Sequence, residues 1–545
     1  MTRRWIEATT LGDLVERRAA EQPDAEALVF PSERVTYAGL AARATRRARE
    51  LAGLGVGPGD RVALLLPADA DLVATLVGTT MLGAVAVPVN ARFRGSEITG
   101  VLTTAGARVL VTAPDLLGVV DECLPPDGAA RPDAPELEHV VVPGVAADPP
   151  GAVGADRLAA GAVALGLVEE LAAAVRVRDT AVLVFTSGTT AAPKGAMLSH
   201  EALVRLAFGI GDRLGWRPGE RVWTAIPLFH GGGITFALSC LAAGATFVHP
   251  GHFDPTTTLE LLTAERVTVA LAAFETIWMP VLNRPDFASF DLSRIRQVMA
   301  VGVPERLRDM AARLPQAVHV SCVAMTESSA FLTLNRPDDP AEARASTGGH
   351  PMPGMRCRVV DPETGTDVAP GTPGELWFRG PNAFDGYFRD PAATAAAFTA
   401  DGWFRTGDLV VADDAGRLTF RSRLKDMLKV GGENVAAAEV EGFLLAHPAV
   451  DLVAVVAAPD ARYVEVPCAY VRLRPGHAVT EQELIEHCLG RIATFRVPRY
   501  VRFVDEFPMS GTKIKKFELR ERIAAELAAA GITEAPRPQV PAVPR

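Results

Sequence analysis

The sequence predicts an α/β protein: a large N-terminal domain of helix-covered, mostly parallel sheets with a small β-barrel-like subdomain, then a small α+β domain. Three observations carry this. The chain has 545 residues, more than one hydrophobic core accommodates, so two or more domains are expected. Strand-like apolar runs alternate with helical patterns over most of the length, as in parallel sheets covered by helices. After Gly354 the rhythm changes to short strands separated by Gly/Pro turns.

In chain order, residues 61–66 read as a strand, 71–82 as a helix and 84–89 as the next strand. Residues 109–111 form a further strand, and Gly57-Pro58-Gly59-Asp60 marks a turn. Residues 114–156 are rich in Pro, Gly and Ala and read as loop or a variable insert. Residues 181–185 are a continuous apolar run, a buried strand. The longest apolar region, 234–248, is interrupted by Ser239, Gly244 and Thr246. It is too short to span a bilayer comfortably and reads as a core helix followed by a strand. Residues 319–322 form another strand. Between 354 and 420, strands at 356–360, 375–379 and 418–420 suggest a small antiparallel sheet or barrel. The charged stretch 421–426 precedes an α+β pattern: helix 436–445, strands 452–458 and 468–473, helix 481–489. A boundary is expected near Lys425. The expected division is 1–424, with a β-rich part at 354–421, then 425–535, then a proline-rich tail at 536–545. No internal repeat stands out.

A hydrophobic content of 48% and a charged content of 22% are ordinary for a globular protein. The net charge of −10 argues against a nucleic-acid binder. It leaves an anionic small ligand open, because local lysines bind phosphate on acidic proteins. The 6 cysteines are scattered, with no metal-type spacing, and read as reduced buried thiols of a cytoplasmic protein. Residues 1–7 carry two arginines without an apolar stretch behind them, so no secretory signal is visible.

The chemistry-bearing segment follows the strand at 181–185. Thr186, Ser187, Gly188, Thr189 and Thr190 lead through Ala191, Ala192 and Pro193 to Lys194 and Gly195. A strand opening into a hydroxyl-rich, glycine-bearing loop builds a phosphate cradle: amides point inward, hydroxyls add donors and a lysine adds charge. The lysine is not followed by Ser or Thr, so this is not the loop of kinase-like nucleotide hydrolases.

With the motifs farther along, the chain resembles the adenylate-forming superfamily, and within it the AMP-forming acyl-CoA synthetases. The resemblance runs from Val35-Thr36-Tyr37 to Lys516. It implies ATP-dependent activation of a carboxylic acid to an acyl-adenylate, then transfer to the thiol of coenzyme A after rotation of a mobile C-terminal domain. By the same resemblance, Lys194 and the loop hydroxyls hold the departing pyrophosphate. His230 and Gly231, in Ile226-Pro227-Leu228-Phe229-His230-Gly231-Gly232, line the acyl pocket and thiol tunnel with Phe274, Ala300, Ala324 and Met325. Gly302, Val303 and Pro304 run beside adenine, and Val323 occupies the adenine-stacking position. Thr326 binds the α-phosphate and Glu327 holds Mg²⁺, a hard cation suited to carboxylate and phosphate oxygens. Asp408, in Trp403-Phe404-Arg405-Thr406-Gly407-Asp408, and Arg423 reach the ribose. Lys425 is the pivot. Lys429, Gly431 and Gly432 belong to the loop for thioester formation and passage of pantetheine. Lys513 is the adenylation lysine, placed to bridge the attacking carboxylate and the α-phosphate.

Four departures touch the first half-reaction: Ala191 in place of glycine, Val323-Ala324 in place of Tyr-Gly, a lysine loop shorter by one residue, and Glu275 where proline is frequent. An aromatic ring at Val323 would add a stacking contact of ~1–3 kcal/mol. The departures raise an alternative, an enzyme that chiefly transfers a preformed acyl-adenylate to CoA. A second alternative is a stand-alone enzyme loading a carrier protein, against which stands His230 where such modules usually have Asp. The small residues Ala300, Ala324, Gly302 and Gly231 suit a bulky or cyclic acid. Monomer and homodimer are both open, and no nucleic-acid partner or membrane span is expected.

Overall fold

Two seven-stranded sheets with the same strand order dominate the structure, a computed structural model that describes residues 9–93, 95–121, 124, 134–186, 194–424, 427–430, 433–510 and 513–536. Only the backbone is described at 96, 186, 275, 276, 429, 433, 434, 510 and 513. The strands are β1 (Glu26–Phe30), β2 (Glu33–Thr36), β3 (Arg61–Leu65), β4 (Val85–Pro88), β5 (Val109–Thr112), β6 (His139–Val142), β7 (Val153–Gly154), β8 (Thr180–Thr186), β9 (Lys194–Ser199), β10 (Arg221–Thr224), β11 (Thr246–Val248), β12 (Val269–Phe274), β13 (Gln297–Val301) and β14 (Val318–Val320). One sheet is ordered β7-β6-β5-β3-β4-β8-β9 and the other β14-β13-β12-β10-β11-β1-β2. In both, every neighbouring pair runs parallel except the hairpin at one edge, β8–β9 or β1–β2. The two orders superimpose when β3–β7 are matched to β10–β14 and β8–β9 to β1–β2. This repeat of topology has no counterpart in the amino-acid pattern, because parallel strands covered on both faces require only apolar runs.

The expected strands at 61–66, 84–89 and 109–111 are β3, β4 and β5. The expected helix at 71–82 is Ala70–Met81, started by Asp69, whose carboxylate accepts the Leu72 N–H at 2.9 Å. The region read as loop or insert, 114–156, also contains β6 and β7, which extend the sheet beyond β5. Val140, Val141 and Val142 are buried there, and their short apolar run was masked by the surrounding Pro and Gly. The apolar region at 234–248 is the helix Gly231–Ala243 followed by β11. Its C-terminal carbonyls are capped by Arg18, which donates to Leu241 O at 2.9 Å and also to Ala242 O.

Past β14 lies a three-stranded sheet of β15 (Cys322–Met325), β16 (Ala330–Leu334) and β17 (His350–Pro351). β18 (Arg356–Val360), β19 (Pro373–Arg379), β20 (Phe404–Ala412) and β21 (Leu418–Arg423) form a four-stranded sheet in sequence order. The α+β part holds β22 (Met427–Val430), β23 (Glu433–Ala436), β24 (Val450–Asp460), β25 (Val464–Leu473) and β26 (Tyr500–Phe503) in one sheet, and a two-stranded ribbon of β27 (Met509–Ser510) and β28 (Lys513–Ile514). Strand periodicity is strict there. Val453 and Val455 join the core that also holds Val440, Leu444 and Leu484, whereas Ala454 and Val456 join the one holding Leu519, Ile523 and Leu527.

The chain packs as two compact units. One comprises Met1–Gly302, Leu307–Cys357 and Phe378–Phe404, the other Val303–Arg306, Arg358–Trp377 and Arg405–Arg545. Among the described residues no helix is long and apolar enough to cross a membrane. The five described cysteines are free thiols, four of them buried.

Candidate active site

Strand order decides which connections meet. Within β10–β14 the order is β11-β10-β12-β13-β14. In such a doubly wound sheet, ligands bind beyond the carboxyl ends of the strands, where the order reverses. The reversal here lies between β10 and β12. β10 leads into Ile226–His230, β12 ends at Phe274, β13 ends at Val301 beside Ala300 and Gly302, and β14 runs on to Val323 and Glu327. Four motifs far apart in sequence therefore leave one end of one sheet from adjacent strands.

The turn after β10 is tightly made. Thr224 Oγ1 donates to Leu271 O at 2.9 Å and accepts the Ile226 N–H at 3.2 Å. The His230 N–H bonds Pro227 O at 3.0 Å, and His230 caps the helix Gly231–Ala243 without a side-chain bond to it. A Cβ at Gly233 would collide with the carbonyl oxygens of Pro227 and Ile226, so only glycine lets the helix start this close to the turn. The rings of Phe229 and His230 lie 4.6 Å apart and both are half-buried. Phe274 is half-buried and Ala300 buried, and both join the core of the second sheet. Gly231 is buried, Ala324 is exposed and Met325 half-buried. Val323 is buried; its N–H bonds Thr333 Oγ1 at 3.1 Å, and its side chain lies against Gly348.

The expected phosphate loop joins the strands of the β8–β9 hairpin. Thr186 and Lys194 are cross-strand partners, so the two ends of the motif are held side by side. Ser187, Gly188, Thr189 and Thr190 lie outside the described residues. Lys194 Nζ sits over the ring of Tyr387 at 5.0 Å, and the Tyr387 hydroxyl donates to Glu327 Oε1 at 2.9 Å. A lysine and a carboxylate are thus gathered on one tyrosine, the ring facing the cation and the hydroxyl orienting the anion. Thr326 opens a single turn, Thr326–Ser328, that carries Glu327. Sequence reading missed Tyr387 and its segment. Phe384 anchors it among Phe398, Phe404 and Tyr387. The Phe384 N–H bonds Glu327 O at 2.9 Å and the Phe388 N–H bonds Gly195 O at 2.8 Å. The available signal was a tyrosine after glycine in an aromatic run, in a chain with only 5 tyrosines. Nearby Asp385 pairs with Arg178 at 2.5 Å; burial raises its pKa and Arg178 partly offsets that.

The expected ribose pair lies in the second unit. Asp408 and Arg423 face each other across β20 and β21, with Arg423 Nε 2.7 Å from Asp408 Oδ1. The Asp408 side chain is 4% exposed and that of Arg423 41%, so the carboxylate is fixed and the guanidinium reaches solvent. Gly407, at φ 67, turns the chain just before Asp408. Its N–H bonds Glu375 Oε1 at 3.0 Å, while Thr406 Oγ1 donates to Leu376 O at 2.7 Å and accepts the Asp408 N–H at 2.9 Å.

Gly302, Val303 and Pro304 are half-buried at the start of the helix Pro304–Arg313. Lys429 lies on β22 opposite Asn434, and Lys513 on β28 opposite Ser510; their side chains lie outside what is described. Lys425, Gly431 and Gly432 lie outside the described residues. Glu327, an oxygen donor held by a tyrosine beside a lysine, fits a hard cation carrying phosphate oxygens.

The profile of the AMP-binding enzyme family matches residues 15–388, and that of the AMP-binding enzyme C-terminal domain matches 439–513. The 3-(7a-methyl-1,5-dioxo-octahydroindenyl)propanoyl:CoA ligase of Mycobacterium tuberculosis is 36% identical over 517 residues, 94% of this chain and 98% of that protein. The mitochondrial medium-chain acyl-CoA ligase of Bos taurus is 34% identical, covering 95% of this chain and 88% of that protein. The crystal structure of an anthranilate CoA ligase in complex with anthranoyl-AMP superposes with a TM-score of 0.84 at 27% identity, covering 96% of this chain and 98% of that one. The chain belongs to the AMP-binding enzyme family and is an AMP-forming carboxylic acid–CoA ligase.

Proposed function

We propose that this ligase activates a bulky or cyclic carboxylic acid, with Lys194, Thr326 and Glu327 managing the phosphates. The observation that carries the assignment is Tyr387, which binds the Glu327 carboxylate at 2.9 Å and lies under Lys194. Glu327 would hold Mg²⁺, whose chemistry is neutralisation of phosphate charge. In the first half-reaction a carboxylate oxygen attacks the α-phosphorus and the bond to pyrophosphate breaks. Lys194 and the hydroxyls of 186–190 stabilise the leaving pyrophosphate, and Lys513 holds the two anions together. Asp408 and Arg423 fix the ribose. In the second, the CoA sulfur attacks the acyl carbonyl, AMP leaves, and Lys429, Gly431 and Gly432 serve the incoming arm. The C-terminal domain, residues 425–535, pivots near Lys425 between the two, and the enzyme works in the cytoplasm.

The acid class is supported by the small residues Ala300, Gly302, Ala324 and Gly231, and by similarity to ligases named for fused-ring and aromatic acids. The bovine relative is named for medium-chain acids, so fatty acids belong in the test. Thioester formation is measured across aromatic, fatty and polycyclic acids, once with ATP and once with synthetic acyl-adenylates. Turnover of a cyclic acid with ATP supports the reading; preference for a linear acid rejects the proposed class. Turnover from acyl-adenylates alone, without acid-dependent ATP–pyrophosphate exchange, selects the transferring alternative raised by Ala191 and Val323. Lys513→Ala suppresses adenylation far more than transfer from a supplied adenylate; equal loss of both removes its assigned role.

A further inference from the structure

Directly after the Thr326–Ser328 turn, two consecutive non-glycine residues occupy the left-handed half of backbone space. Ser329 has φ 59 and Ala330 φ 108. Such strain persists only where the surroundings impose it, and it concentrates at functional sites. Here the constraint comes from hydroxyl groups. Thr235 Oγ1, on the second turn of the helix Gly231–Ala243, donates to Ser329 O at 2.8 Å. Ser329 Oγ donates to Asn382 O at 2.9 Å, and the Ser329 N–H bonds Thr326 O at 2.9 Å. Thr235 and Ser329 are wholly buried and Asn382 is 1% exposed. Buried hydroxyls are unfavourable unless bonded, so the relay has no competing partner in water.

Asn382 lies two residues before Phe384, whose N–H bonds Glu327 O, and five before Tyr387, whose hydroxyl bonds the Glu327 carboxylate. Glu327 is thereby held on both sides. Its own turn is pinned through Ser329 to Thr235, and its carboxylate is pinned by the segment that Ser329 also grips. The helix bearing Thr235 begins immediately after His230.

We propose that Thr235 and Ser329 are positioning residues: their hydroxyl relay sets the turn carrying Thr326 and Glu327 for metal-bound ATP and ties it to the helix that follows His230. The proposal rests on the reading of Glu327 as the cation ligand. A relay that merely stabilised the fold would affect nucleotide binding with and without the cation alike. One that positions Glu327 acts only when the cation is present.

Binding of ATP to the full chain is measured by calorimetry with Mg²⁺ and with EDTA, in the wild type, Thr235→Val, Thr235→Ser, Ser329→Ala and Glu327→Gln, with the melting temperature of each. Thr235→Val is expected to bind Mg·ATP about tenfold more weakly, the size seen when a group supporting a metal ligand is removed, and to bind metal-free ATP as the wild type does. Thr235→Ser, which keeps the hydroxyl, restores Mg·ATP binding. Ser329→Ala keeps the bond from Thr235, which goes to the main-chain carbonyl, and removes the second bond of the relay, from Ser329 Oγ to Asn382 O; it decides the matter should Thr235→Val fail to fold. Unchanged Mg·ATP binding in the relay variants, with Glu327→Gln impaired, overturns this proposal alone. Equal weakening with and without the cation overturns it as well. Wild-type Mg·ATP binding by Glu327→Gln overturns both the proposal and the reading beneath it.

Discussion

In the sheet containing β10–β14, the edge hairpin turns through Pro31 and Ser32; in its topological twin the same hairpin opens into residues 187–193 with their hydroxyls and Lys194. The contrast reverses at the other special place. Where the first sheet changes direction, between β10 and β12, the strand ends lead into His230 and Phe274. At the matching place in the twin, between β3 and β5, the β3 end leads to Asp69, whose carboxylate caps a helix. One topology thus serves twice, with candidate site residues on the edge hairpin in one copy and at the direction change in the other. Strand burial and the general preference for right-handed crossovers constrain the sheets; the connections, free of that constraint, hold the residues proposed for the reaction.

The largest effect expected from this contrast comes from exchanging side chains on the two hairpins. Lys194→Ala is expected to slow acid-dependent ATP–pyrophosphate exchange by about 10²–10³-fold, the loss typical of one group opposing developing charge. Ser32→Gly, on the twin hairpin, is expected to leave exchange unchanged and to shift stability by no more than about 0.5 kcal/mol. Comparable exchange in the two variants would break the comparison.

Each sheet also buries a neutral histidine next to its edge hairpin. His200 follows β9, and its Nδ1 accepts the Leu11 N–H at 3.1 Å. His249 follows β11, accepts the Gly251 N–H at 3.0 Å and has Nε2 3.1 Å from Ile226 O. Burial pushes both imidazoles down to about 4. The unfolded chain takes up these protons near pH 6.5 and the native one only near 4. Their contribution is therefore complete above about pH 6.5 and lost as pH falls towards about 4, up to about 3 kcal/mol per ring. Asp69 acts oppositely: burial raises it to about 6, so protonation between about 6 and 4 returns part of the loss. Urea midpoints measured between about pH 7 and about pH 4.5 should fall in the wild type and fall less in His200→Gln and His249→Gln. Equal slopes in all three would show that neither ring is the source.

Most of the fold was legible because it rests on periodicity. β3, β4, β5, the helix Ala70–Met81, the helices Ala437–Leu445 and Glu481–Cys488 and β24 lie within a residue or two of their expected ends, whereas β25 begins at Val464 and not at the expected 468. β6 was not, because a four-residue strand inside a Pro/Gly-rich stretch has too few positions to show a period. Of the site, the chemistry-bearing residue types were legible and their supports were not. Lys194 stands out as the charge of a hydroxyl- and glycine-rich loop, whereas Glu327, Asp408 and Arg423 are reached only through the family resemblance. Tyr387, Thr235 and Glu375 act through contacts across many positions of chain, and a neutral or buried hydrogen-bonding residue leaves no local pattern. The topological twinning was likewise invisible, since apolar strands share a composition and not a sequence.

Tyr387→Phe sharpens the comparison at smaller scale, because it keeps the ring under Lys194 and removes only the hydroxyl that orients Glu327. About a tenfold loss in the adenylation rate is expected, with transfer from a supplied acyl-adenylate unchanged. A Phe variant that adenylates normally would assign Tyr387 to packing alone, and the hairpin lysine would then be the sole contribution of that corner.

A third hairpin, β24–β25 in the second unit, has its turn shaped by a side chain from the end of its own strand. Asp460 Oδ1 accepts the N–H groups of Arg462 at 2.9 Å and Tyr463 at 2.7 Å, which shapes residues 461–463 and delivers Val464 at φ 70. A β-branched residue there is a genuine outlier, disfavoured by roughly 1–2 kcal/mol. Val464 is 70% exposed, so little burial is lost on shortening it. Glycine relieves the strain but gives the unfolded chain more freedom, which removes roughly 0.5–1 kcal/mol of the gain. Val464→Gly is therefore expected to stabilise the protein by about 0.5–1 kcal/mol in urea unfolding, with kinetics unchanged. A loss of stability would mean that the exposed valine contributes more than its 70% exposure suggests, through its pairing with Val430 on β22.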